Sequence, residues 1–240
     1  MTPSPWPLWD NTPPDRLTLK RGELHLWRIP LGLSPEKTAE LKKILSQDEI
    51  VRADRLLDPA KRENFIASRG SLRLILGRYL NLEPGEIPFE YGEEGKPFIE
   101  TALRKDIYFN LSHSDHWAAL AVAAGMEVGI DIEFTDPLLD CGKVAAQFFS
   151  LQERDKLTHF SARRRRRGFY RIWTAKEAGL KCSGTGFSQK EIGIDEENTI
   201  PFGSSKNTFE TVTFHLAKNY VATIVLDGDL SSLKRWHLSW

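Results

Sequence analysis

Polar and apolar positions alternate over Glu23–Ile29 (ELHLWRI) and again over Val128–Phe134 (VGIDIEF), the period-two signature of half-buried strands. Tyr108–Leu111 reads as a short strand and Trp117–Ala123 as a longer apolar one. Ser34-Pro35 opens a helix, with a serine cap and a proline at the first helical position, and Leu41, Ile44 and Leu45 follow at helical spacing. From Ile50 to Leu80 the pattern stays helical with a break at Asp58-Pro59; Phe65, Ile66, Leu72, Ile75, Leu76 and Tyr79 form its core face. Asn81–Glu94 reads as an acidic loop, and Gly95-Lys96-Pro97 as a tight turn. In the second half Gly142–Phe149, Gln152–Ala162 and Phe169–Lys181 read as helices, the last stopped by Gly184-Thr185-Gly186. Phe209–Leu216, Tyr220–Leu226 and Leu233–Trp240 read as closing strands, and residues 1–20 as an irregular arm.

Both halves begin on a strand, pass through helices and close on strands. His116–Val122 and Asn219–Val225 also align residue for residue as polar, aromatic, small or β-branched, then apolar. The expectation is an α+β fold of two similar lobes in pseudo-twofold arrangement, residues 1–124 and 125–240, each an antiparallel sheet packed with helices. A cleft between two such lobes is a favoured ligand site.

Composition narrows the function classes. The chain has 240 residues, 40% hydrophobic and 28% charged, so it can bury a sizeable core. Lys+Arg and Asp+Glu both number 33, which argues against a dedicated nucleic-acid binder. The longest uncharged apolar run, Trp117–Met126, is about half the length that spans a bilayer. Met1–Trp9 carries three prolines and no basic cluster, unlike a secretory signal. Cys141 and Cys182 form no CxxC or Cys/His cluster, so a disulfide framework and a structural zinc site are not expected and the simplest compartment is a reducing cytoplasm.

Four segments carry chemistry. On a strand Asp131 and Glu133 project to one face and Ile130 and Ile132 to the other. Two adjacent carboxylates suit a hard cation such as Mg²⁺, although a strand with a wet face has the same pattern. On a helix Trp173, Glu177 and Lys181 share a face, offering a third carboxylate and a cation, or only a solvated Glu–Lys pair. Ser112-His113, just after a strand, can hold an anion or form a polar turn. Lys96, between Gly95 and Pro97, is a phosphate contact or an ordinary turn residue.

Taken together, GKP at Gly95–Pro97, FNLSHS at Phe109–Ser114, GIDIE at Gly129–Glu133, FFSLQE at Phe148–Glu153 and WTAKEAGLK at Trp173–Lys181 resemble the Sfp-type 4′-phosphopantetheinyl transferases, in the family's order. The resemblance covers roughly Arg52 to Gly186, and the chain length is similar to that of the two-lobed, monomeric branch. It implies transfer of the 4′-phosphopantetheine arm of coenzyme A to a serine of an apo carrier protein, with release of 3′,5′-ADP. Asp131, Glu133 and Glu177 match the family's Mg²⁺ ligands, and Lys181 the lysine that reaches the transferring phosphate. Ser112 and His113 match the pair on the coenzyme A phosphates, with Lys96 and Pro97 opposite; Arg52, helped by Arg69, falls where the 3′-phosphate is met. Glu177, Lys181 and His113 are thereby the catalytic group. The resemblance implies an acidic helical-bundle carrier, of fatty-acid, polyketide or nonribosomal-peptide assembly. Arg163–Arg167 with Arg171, and the segment Cys141–Phe149, are candidates for docking it. It implies no nucleic-acid or membrane partner. The rival readings are a Mg²⁺-dependent phosphohydrolase using the same acids and a non-catalytic module that binds carrier or coenzyme A.

Overall fold

The computed structural model describes residues 9, 13–14, 16–92, 95–103, 106–184, 200–201 and 208–240. Much of the expected N-terminal arm, Thr185-Gly186 and the end of the Asn81–Glu94 loop lie outside these residues. The elements run β1 (Glu23–Pro30), α1 (Pro35–Lys42), α2 (Gln47–Asp54), α3 (Pro59–Leu80), β2 (Phe89–Tyr91), β3 (Pro97–Ile99), β4 (Ile107–Ser114), β5 (Trp117–Ala124) and β6 (Glu127–Phe134). Then follow α4 (Cys141–Phe148), α5 (Leu151–Thr158), α6 (Ala162–Ser183), β7 (Ile200–Pro201), β8 (Thr208–Ala217), β9 (Tyr220–Asp227) and β10 (Ser232–His237).

Helix ends follow local chemistry. Ser34 caps α1 by accepting from the Lys37 amide, Asp58 caps α3, and Gly184 ends α6 in the left-handed conformation. Two expectations shift at α5 and α6. The helix expected over Gln152–Ala162 stops at Thr158, and α6 starts at Ala162 and runs straight through the arginines. Arginine is a good helix former, and Arg165 satisfies the carbonyls left open at the end of α5, donating to Leu157, Thr158 and Phe160. The short hairpin β2–β3 falls partly in what reads as loop, because strands of three residues leave no periodic signature.

One sheet has the order β10-β1-β5-β4 and another β6-β9-β8-β7, with β2–β3 as a separate hairpin. The turn at Gly125 lies between β5 and β6 and so between the two large sheets. The last strand does not stay with the second sheet: β10 returns to run parallel to β1, from Glu23↔Ser232 to Arg28↔His237. The first sheet is therefore mixed rather than antiparallel throughout.

The layers are α3, first sheet, second sheet, α6. On β5, Ala118, Leu120 and Val122 pack toward α3, while Ala119, Ala121 and Ala123 face the second sheet. Those small residues let the sheets approach, and Val128, Ile130, Ile132, Ala222, Ile224 and Leu226 fill the other side of the shared core. Strand β9 takes the corresponding inner place in the second sheet, and the covering helices α3 and α6 each have 22 residues.

Gly129 fixes how closely α6 lies on β6. A methyl group there would run into the Ala178 carbonyl and the Cys182 amide, which are backbone atoms that cannot swing aside. Gly129→Ala is expected to lose about 1–3 kcal/mol or more, because the clash is overpacking against backbone. Urea unfolding followed by circular dichroism measures it, and an unchanged midpoint contradicts this packing.

Candidate active site

Strands β4 and β6 are the facing edges of the two sheets, and side chains rather than a backbone ladder join them. Asn110 Oδ1 accepts from the Ile130 amide at 2.8 Å, Ser112 Oγ from Ile132 at 3.4 Å and Ser114 Oγ from Phe134 at 3.0 Å. Alternate residues of one strand thus satisfy alternate amides of the other, and the exposed edge of β6 is closed.

The two serines also reach the acids. Ser112 Oγ donates to Asp131 Oδ1 at 3.0 Å, and Ser114 Oγ donates to Glu133 Oε2 at 3.0 Å. Trp173 Nε1 donates to the other oxygen of Glu133 at 3.3 Å. Lys181 Nζ lies 2.6 Å from Asp131 Oδ1 and donates to Ser112 Oγ at 3.1 Å. Asp131 Oδ2 is buried with no hydrogen-bond partner.

Electrostatics set these carboxyls apart from ordinary surface acids. Burial raises the Asp131 pKa above its usual range in spite of Lys181. Burial and then the Asp131 charge raise Glu133, and the same two causes push Glu177 up to about 7. The three acids are therefore poor neighbours unless positive charge is added between them. His113 is shifted the other way, downward, first by desolvation and then by Lys181 and Arg69. As the side chains stand, no three His, Cys, Asp or Glu groups among the described residues are gathered closely enough to hold a metal ion. The orphaned oxygen of Asp131 and the mutual repulsion of the carboxyls nevertheless fit a divalent cation by donor chemistry.

A cleft of about 490 Å³ opens beside this cluster, lined by Arg52 and Arg69 from α2 and α3, Lys96 and Pro97, His113, and Glu177 and Lys181. Residues from both halves of the sequence thus meet in one place. Ser112 and Asp131 lie beneath it, buried, and Glu133 instead borders a second hollow with Trp173, Phe134 and Tyr170. Lys96 Nζ is 3.3 Å from Glu127 Oε2. Arg69 is 7% exposed and its Nη1 has no partner.

Other expected residues have different surroundings. Glu153, within the FFSLQE segment, accepts from the Ser150 amide at 2.8 Å and from Lys176 Nζ at 3.0 Å, so it ties α5 to α6. Of the arginine run, Arg165 donates to carbonyls at the end of α5 and Arg166 to those of Asp136 and Leu139, and Arg167 Nη2 lies 3.5 Å from His215 Nε2; Arg163, Arg164, Arg165 and Arg167 are exposed. Leu138, Phe148 and Leu151 form apolar surface around α4, at 90%, 39% and 76% exposure. Among the described residues no helix is long and apolar enough to cross a membrane. Asn110 and Ser114 carry weight that was not read from the sequence; their signal is polar residues at every second position of β4.

Asn110→Ala leaves the Ile130 amide buried without a partner and is expected to cost about 1–3 kcal/mol in urea unfolding; no loss contradicts the side-chain ladder. The Glu177 carboxyl, ordinarily near 4.5, holds its proton to about 7 in the folded chain. The unfolded chain gives that proton up first, so the stability of chelator-treated protein falls as pH rises across this window. Glu177→Gln is expected to shrink the decline, and an unchanged pH profile contradicts the assignment.

Two family models match the chain. One, described as the 4′-phosphopantetheinyl transferase superfamily, covers residues 127–226; the other, 4′-phosphopantetheinyl transferase, N-terminal, covers residues 34–125. The chain is 41% identical to the 4′-phosphopantetheinyl transferase HetI of a Nostoc species, over 95% of this chain and 98% of that protein. It is 33% identical to the 4′-phosphopantetheinyl transferase Sfp of Bacillus subtilis over 60% of this chain and 67% of that one. With the 4′-phosphopantetheinyl transferase AcpT of Salmonella typhi the identity is 34%, over 60% of this chain and 71% of the relative.

Proposed function

The chain belongs to the 4′-phosphopantetheinyl transferase superfamily and moves 4′-phosphopantetheine from coenzyme A to a carrier protein; we propose that the cleft above Asp131 is where it does so. The observation that carries this reading is the convergence of Arg52, Arg69, Lys96, His113, Glu177 and Lys181 on one cleft. Beside it Asp131, Glu133 and Glu177 would hold a Mg²⁺ ion. That ion, when bound, neutralises charge on the diphosphate oxygens.

This chain's own residues supply the rest. Arg52 and Arg69 bind the 3′-phosphate, and Lys96, Ser112 and His113 bind the diphosphate. Lys181 leaves Asp131 for the transferring phosphate and adds positive charge where negative charge grows. The carrier's serine oxygen bonds to the pantetheine-side phosphorus as the phosphorus–oxygen bond to 3′,5′-ADP breaks. Glu177 takes the serine proton. The carrier is an acidic helical bundle drawn in by Arg163, Arg164 and Arg167 and seated on the apolar surface around Phe148 and Leu151; the enzyme acts as a cytoplasmic monomer. Arg165 and Arg166 are engaged with carbonyls at the end of α5 and before α4 and contribute less to docking.

The test is incubation with coenzyme A, Mg²⁺ and a purified apo-carrier, read as a mass gain of one phosphopantetheine arm. Asp131→Ala and Glu177→Ala are expected to abolish the gain while the circular dichroism spectrum is kept; normal turnover in either with excess Mg²⁺ refutes the metal assignment. Lys181→Ala is expected to slow turnover by about 10²–10³-fold with a smaller change in coenzyme A affinity. The reverse split makes Lys181 a ground-state binder. Release of inorganic phosphate from coenzyme A without carrier modification favours the phosphohydrolase instead.

A further inference from the structure

Arg69 raises a question of its own. A guanidinium that is 7% exposed, lacks a partner on Nη1 and faces a cleft is costly unless an anion completes it. Among the described residues no carboxylate is paired with Arg69. Glu49 is fully buried; its Oε2 meets Arg73 Nε at 2.6 Å and accepts from the Ser46 amide, while its Oε1 has no hydrogen-bond partner. Arg73 is held in turn by the Pro84 and Ile87 carbonyls, both at 3.0 Å, and by the Phe89 ring at 4.9 Å. The Glu49 charge favours the Arg69 guanidinium and the Arg73 and Arg52 charges oppose it, so Arg69 has no ion-pair partner of its own among the described residues.

What orients Arg69 is aromatic. Its guanidinium carbon lies 5.7 Å from the centre of the Tyr91 ring and 5.9 Å from that of Phe65. Arg52, exposed at the rim on α2, lies 5.3 Å from the same Tyr91 ring. Two like charges would otherwise drift apart, and one ring of negative face density holds both. Tyr91 is itself fixed at two points. Its hydroxyl donates to Asp48 Oδ2 at 3.3 Å, and its backbone pairs with Pro97, the neighbour of Lys96. The hairpin β2–β3 thus sets Tyr91 opposite Pro97, which lines the cleft with Lys96.

We infer that Tyr91 is a specificity-determining positioning residue, which holds Arg52 and Arg69 as a single receptor for a phosphate monoester and so selects coenzyme A over its 3′-dephospho form. This rests on the reading that Arg52 and Arg69 meet the 3′-phosphate. Two planar forks lining one cleft match a dianion with three free oxygens better than a lone lysine would. Asp48 is a secondary anchor: it fixes the ring's tilt, while the ring face holds the arginines.

Equilibrium binding by calorimetry tests this, using coenzyme A and dephospho-coenzyme A with wild type, Tyr91→Phe, Tyr91→Leu and Arg52→Gln. Wild type is expected to bind coenzyme A more tightly than the dephospho form, with Arg52→Gln narrowing the gap. Tyr91→Phe keeps the ring and is expected to stay within about twofold of wild type, whereas Tyr91→Leu weakens coenzyme A by roughly tenfold and leaves the dephospho form unchanged. A merely structural loss weakens both ligands alike, and that result overturns the inference, as does no change with either. If wild type does not discriminate between the ligands, the 3′-phosphate reading falls and the inference with it. If Arg52→Gln narrows the gap and Tyr91→Leu does not, the inference alone falls.

Discussion

Two sheet edges meet in this protein, and the hydroxyl and amide side chains of β4 bridge them. Each of Asn110, Ser112 and Ser114 accepts from a backbone amide of β6. An open edge buried between two layers would strand several donors, each at a cost comparable to a lost hydrogen bond. By meeting them with side chains, the fold joins its two large sheets without merging them. It also puts serine hydroxyls within reach of Asp131 and Glu133, so the contact that joins the sheets orients the acids as well.

The depth of helix α6 is the second constraint. With no side chain at Gly129, backbone of α6 comes close to β6, and Glu177 and Lys181 on that helix approach Asp131. Lys181 then balances the most buried carboxylate in the cluster. Burial keeps all three acids high, which disfavours the bare site and favours any cation that can replace the ammonium. Under the proposed function that tension has a use, since coenzyme A would bring an anion for Lys181 to follow.

Much of the architecture was legible in the residues because period and punctuation agree. Strand β6 shows its two faces in GIDIE, and α3 announces its start at Asp58-Pro59. The return of β10 to pair with β1 was not legible, because the choice between two sheets is made by tertiary packing and leaves no local mark. The roles of Asn110 and Ser114 were hidden for a related reason: polar residues at every second position look like a solvated face until another strand's backbone is seen opposite them. That Arg165 and Arg166 close carbonyls at helix and loop ends was hidden for the same want of context. The grouping of Arg52, Arg69, Lys96, His113, Glu177 and Lys181 was anticipated only through family resemblance, since spacing alone leaves each of them an ordinary surface residue.

The most direct measurement is a crystal structure with coenzyme A and Mg²⁺ bound. The account predicts one ion touching oxygens of Asp131, Glu133 and Glu177, with Lys181 Nζ moved from Asp131 to the diphosphate. An ion held elsewhere, or Lys181 still seated on Asp131 beside a fully bound diphosphate, would contradict it.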